Sequence, residues 1–119
     1  MRSPSPGSRR DQAGSVTAEF ATVIPAVVLV LACCLGGVRL ATDHLVLQDA
    51  AADAARIVAR GEGLADATER TRRMFPQATA SREDSGDLIC VTLQSPAALS
   101  GLLRSTTLTA SSCALAGGR

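Results

Sequence analysis

From Phe20 to Val38 the chain carries nineteen residues without a charge, FATVIPAVVLVLACCLGGV, while polar and apolar positions mix on either side. About twenty apolar residues are what an α-helix needs to cross the hydrocarbon layer of a bilayer, where every backbone polar group must be paired within the segment. A buried core helix has a similar composition, but a chain of 119 residues is too short to wrap one on all sides. The pattern predicts one membrane-spanning helix.

Beyond the span the pattern becomes amphipathic. Leu40, His44, Leu47, Ala51, Ala54 and Val58 step by four and three along one helical face. Asp49, Asp53, Arg56 and Arg60 repeat the same steps on roughly the opposite face, with Asp53 and Arg56 as i,i+3 neighbours. One helix is therefore expected from about Ser15 to Arg60, bent or softened at Pro25 and at Gly36-Gly37, and ended by Gly61-Glu62-Gly63. Leu64, Thr68, Thr71 and Phe75 predict a short second helix stopped before Pro76. Residues 77–87, QATASREDSGD, read as a polar loop.

Two strands follow. In Asp87–Ser95, Ile89, Val91 and Leu93 alternate with Leu88, Cys90 and Thr92, and Pro96 ends the run. Residues 105–115, STTLTASSCAL, supply a weaker, Thr-rich strand. Two strands alone are marginal in water and need the exposed half of the long helix, or a bridge, to hold them. The expected fold class is α+β and membrane-anchored. Residues 1–14 form a leader, unstructured through residue 13 (MRSPSPGSRRDQA), and 15–40 the transmembrane part of the helix. Residues 41–61 are its amphipathic continuation, and 62–119 a small head.

Composition narrows the function more than the fold. Only 2% of residues are aromatic, with no Trp and no Tyr, so Ala, Leu and Val must build any core. The formal net charge of +1 sets up no field for nucleic acid, and no nucleic-acid partner is expected. Arg2, Arg9 and Arg10 stand against Asp11 before the span, which by the positive-inside bias keeps the N-terminus cytoplasmic and the C-terminal part outside. The single histidine, His44, has no partner in a nucleophile–base arrangement, and no Gly-rich phosphate loop is present. No catalytic residue, cofactor or metal ligand set is assigned, and the chain is not read as an enzyme.

Four cysteines sort into two pairs. Cys33 and Cys34 are adjacent within the span, where they act as small apolar residues. Cys90 and Cys113 fall one on each predicted strand, on the side of the membrane where disulfides persist. A bridge there would close a loop worth roughly 3 kcal/mol in the chain-entropy model. Two free thiols are the alternative, and no CxxC or zinc spacing is present.

The leader meets the span at Ala13-Gly14-Ser15-Val16-Thr17-Ala18-Glu19-Phe20. A carboxylate at the edge of a span is costly if driven inward, and so implies a partner. Glu19 could pair across a helical bundle with the amino terminus of a neighbouring chain and set axial register, or it could simply snorkel to water.

This junction resembles the processing site of type IV pilin-like precursors, cut after the glycine. The runs GSVTAEFATVIPAVVLVLA and VRLATDHLVLQDAAADAARIVARGEG resemble TadE-like minor pilins over roughly residues 10–63, through the G-x-x-x-x-E-F start, the early Pro and the Ala-rich helix ending in A-R-G. The resemblance implies a minor pilin or pseudopilin of a Tad, Flp-type pilus or related secretion system. It implies cleavage between Gly14 and Ser15 by a prepilin peptidase, with Glu19 and Phe20 in assembly. The implied partners are other pilins and pseudopilins, the inner-membrane platform proteins of a Tad-type system, and the lipid membrane.

Rival readings are a membrane anchor or lipoprotein with a small extracytoplasmic binding head. Val30-Leu31-Ala32-Cys33 approximates a lipobox, though Leu31 fits it poorly. The apolar run is long for a removable signal and lacks an A-x-A exit.

Overall fold

The structure is a computed structural model of the chain, and it describes residues 8–97 and 106–117. Two helices precede a three-stranded antiparallel sheet: α1 Ser8–Ala59, α2 Leu64–Arg72, β1 Thr79–Ser85, β2 Leu88–Pro96 and β3 Thr107–Leu115, in the order β1-β2-β3. The chain divides into two compact units, Met1–Gly37 and Val38–Arg119, and α1 contributes to both.

In the first unit every residue from 14 to 35 is exposed, including Phe20, Ile24, Val28, Leu31 and Leu35. Among the described residues these apolar side chains stand open, as expected of a segment whose solvent is lipid. Among the described residues α1 is the helix long and apolar enough to cross a membrane. It starts at Ser8 and not near Ser15, so residues 8–13 are helical where a leader without structure was expected. Arg, Gln and Ala are good helix formers, and no Gly or Pro lies between Ser8 and Ala13 to stop α1 from extending backward. Residues 1–7 of the expected leader lie outside the described residues.

The second unit is built on the predicted stripe. Leu47, Ala51, Ala54 and Val58 are buried, joined by Ala55 and Ile57, whereas Leu40 is partly buried and His44 exposed. This surface packs with Ile89, Val91 and Leu93 of β2, Leu108 and Ala110 of β3 and Ala67 of α2. The alanines let the helix backbone lie close to the sheet, so a core forms with few large side chains. Ala51 and Ala55, small enough to suit a helix–helix contact equally well, are 0% exposed and committed to this core.

Helix α1 ends in a Schellman arrangement. Gly61 takes φ 92°, its N–H donates to the Val58 carbonyl at 3.0 Å, and the Glu62 N–H donates to the Ile57 carbonyl at 3.3 Å. Helix α2 stops at Arg72, short of Phe75, although the Phe75 N–H still donates to the Thr71 carbonyl. Phe75 packs on the rim of the core.

The sheet has three strands where two were expected. TASREDS, within the predicted loop, forms β1 and pairs with β2 from Thr79↔Gln94 to Ser85↔Leu88. Gly86-Asp87 makes the two-residue turn, with Gly86 at φ 61°, the chemistry such a tight hairpin needs. As an edge strand β1 carries Arg82, Glu83 and Asp84, charges that discourage further pairing. Arg82 forms a two-pronged contact with Asp84, at 2.8 and 3.0 Å, and this hydrogen bonding raises the guanidinium pKa further. The second predicted strand is β3, from Thr107 to Leu115, and residue 105 lies outside the described residues.

Candidate functional site: the head of the apolar helix

Gly14, Ser15, Glu19 and Phe20 occupy successive turns of α1 and are all exposed. A Cβ built on Gly14 meets nothing within 4 Å, and its φ is not positive, so neither crowding nor a special turn accounts for glycine there. Within a helix glycine weakens the local structure by roughly 0.5–1 kcal/mol relative to alanine. The Gly14–Ser15 bond therefore lies in a continuous helix, at one of its weaker points.

The Glu19 carboxylate forms no ion pair among the described residues. One residue on, Phe20 is 64% exposed and opens the uncharged run. Thr22 hydrogen-bonds internally, its hydroxyl donating to the Ala18 carbonyl at 2.8 Å, which lets a polar side chain sit in an apolar segment. Glu19 is thus an exposed charge at the edge of the uncharged run.

The cysteines separate as the strands do. Cys90 and Cys113 are directly opposed in the β2–β3 register and joined in a disulfide, with an S–S distance of 2.02 Å. Cys33 and Cys34 are free and exposed on α1. Among the described residues no group of three or more His, Cys, Asp or Glu is placed to hold a metal ion.

Sequence reasoning placed the division of α1 between span and head, but not the share of Ala55 and Ile57 in the core. The face of α1 from Leu47 to Val58 is consumed by its own head, while its large apolar side chains from Val16 to Val38 are exposed. The signal was in the composition, since a head without Trp or Tyr needs the helix as a core element.

Neither curated proteins nor solved structures give a match to the chain. A family comparison does: residues 14–56 match the TadE-like protein family, a segment that opens at Gly14, takes in Glu19 and Phe20 and ends within the core-forming part of α1. Over that segment the chain is similar to TadE-like proteins.

Proposed function

We propose that the protein is a minor pilin or pseudopilin of a Tad-type pilus or related secretion system, a structural subunit and not an enzyme. The observation that carries this reading is the Gly14–Phe20 junction at the start of a helix whose large apolar side chains are exposed. Exposed apolar area on this scale must be covered by lipid or by other helices. In the membrane, lipid covers it; in a filament, the α1 helices of neighbouring subunits take its place.

Prepilin peptidase would cut after Gly14, freeing an amino group on Ser15 one turn from Glu19. A carboxylate at the edge of the span and a new ammonium on a neighbouring chain satisfy each other when α1 leaves the bilayer. Residues before the cut would lie on the cytoplasmic side and the head on the other, where the Cys90–Cys113 bond persists. Platform proteins of the inner membrane and other pilins are the partners this role requires.

The test is the N-terminus of the membrane-extracted protein, by intact mass and terminal peptide, with and without the prepilin peptidase of its host. A chain starting at Ser15 only when the peptidase is present supports the pilin route. A chain starting at Met1 in both cases leaves a single-pass anchor with a small head, and the proposal fails.

A further inference from the structure

The two edges of the sheet differ. Strand β1 carries Arg82, Glu83 and Asp84, whereas β3 has no charge, proline or glycine from Thr107 to Leu115. Successive residues of an edge strand turn their backbone groups alternately toward the sheet and away from it. Two contacts show that the odd positions of β3 face away. The Gln48 side-chain amide donates to the Ser111 carbonyl at 2.9 Å, and just past the strand the Gly117 N–H donates to the Ala59 carbonyl at 3.0 Å. Between them in parity, the Ala116 N–H turns inward to the Asp87 carbonyl at 2.8 Å. The outward groups of Thr109 and Cys113, and the Ser111 N–H, bond to nothing among the described residues.

The same contacts run β3 alongside the head portion of α1 and in the same sense, from Gln48 to Ala59. Ala52 and Ala55 lie between these two on that flank of the helix, in steps of four and three. Ala55 and Ala59 are buried and Ala52 is half-buried. The charged residues of this stretch, Asp49, Asp53 and Arg56, fall on another side of the helix. An open strand edge thus lies beside a helix flank that has neither charge nor bulk.

We propose that the β3 edge takes one further strand: an extended, uncharged segment of another protein, antiparallel to β3, with small side chains at alternate positions. Main-chain hydrogen bonds to Thr109, Ser111 and Cys113 supply the affinity, and the alanine flank selects what lies over it. A charged side chain there would lose its water without gaining a partner. A second copy of the chain does not meet this description. Its β1 is charged, and an antiparallel β3–β3 pair would reverse α1, which copies anchored in one membrane carry in one sense. That exclusion rests on the membrane-anchored reading; the open edge itself does not.

The test uses full-length protein in lipid nanodiscs, one copy in each, and a capped peptide as long as β3 that alternates threonine and alanine. Hydrogen exchange is read at single amides. The peptide should slow exchange at Thr109, Ser111 and Cys113 by at least about tenfold, and leave Leu108, Ala110 and Ser112, which already face β2, as they were. Replacing the alanines of the peptide by lysine should abolish the effect. So should Thr109→Pro, which removes an outward N–H and no bond to β2; unchanged far-UV circular dichroism and a retained Cys90–Cys113 bond check that the variant folds. No slowing at these three amides, slowing confined to β1, or equal slowing by the lysine peptide would overturn the proposal. Slowing without peptide, seen only when a disc holds two copies, would overturn it as well, since a second copy would then fill the edge. Failure in a chain that resists extraction by alkaline carbonate strikes the strand site alone; release by carbonate strikes the anchored reading instead.

Discussion

Cys90 on β2 and Cys113 on β3 stand directly opposite each other, bonded on the face of the sheet turned away from α1. Their neighbours Ile89 and Val91 point the other way, into the core. Replacing both cysteines by alanine should therefore remove a loop constraint without opening a cavity. The expected loss of head stability is roughly 3 kcal/mol, with the folded structure kept. Urea unfolding of the full chain in detergent, followed by far-UV circular dichroism because no Trp or Tyr is present, measures it.

Leu47 and Leu31 belong to one helix but to different environments, at 0% and 57% exposure. Leu47→Ala should destabilise the head by about 2–5 kcal/mol, the range for a large-to-small change in a packed core. Leu31→Ala should leave the same transition where it was. Equal effects from the two would mean that the head does not rest on the inner stripe of α1.

Ala55, also at 0% exposure, offers no room for a longer side chain. Ala55→Leu should lower stability by about 1–3 kcal/mol through overpacking. If Ala55 served an interface between chains, the substitution would weaken assembly and spare the isolated subunit. Thermal unfolding of monomeric protein separates the two.

Gly61 holds φ 92° at the end of α1, while Gly63 holds φ −72° only two residues later. Gly61→Ala should destabilise by about 1–2 kcal/mol, because a Cβ resists the left-handed conformation. Gly63→Ala should change stability by less. The contrast is read from melting temperatures of the two variants.

Glu19 is exposed on the free half of α1 and plays no part in the core of the head. Glu19→Gln should leave membrane insertion and head stability unchanged while lowering recovery of the protein in sheared filaments. Fractionation with quantitative immunoblotting checks both halves of that statement.

The elements readable from sequence are those whose pattern matches their burial. The uncharged run Phe20–Val38 and the stripe Leu40–Val58 place α1, and the alternation of Ile89, Val91 and Leu93 places β2. Strand β1 is hidden because it is an edge strand with six of its seven residues exposed, so TASREDS shows no hydrophobic period. Its one legible sign is Gly86-Asp87, a two-residue turn pair ahead of a clear strand. At the junction, Gly14 and Glu19 stand out by residue type, but the helical state of the Gly14–Ser15 bond does not. The Pro and Gly residues of the leader before Gly14 all precede Ser8, and they hide the helix-compatible stretch Ser8–Ala13 through which α1 reaches back. The fate of Ala51 and Ala55 was also ambiguous, since small residues suit a helix–sheet core and a helix–helix contact equally.

The Gly117 N–H donates to the Ala59 carbonyl at 3.0 Å, so the end of the sheet is fastened to the end of α1, and the length of helix before it fills the core. A load applied along α1 would thus be carried as shear across the whole helix–sheet contact. At that contact the helix cannot yield without stripping the sheet of its core.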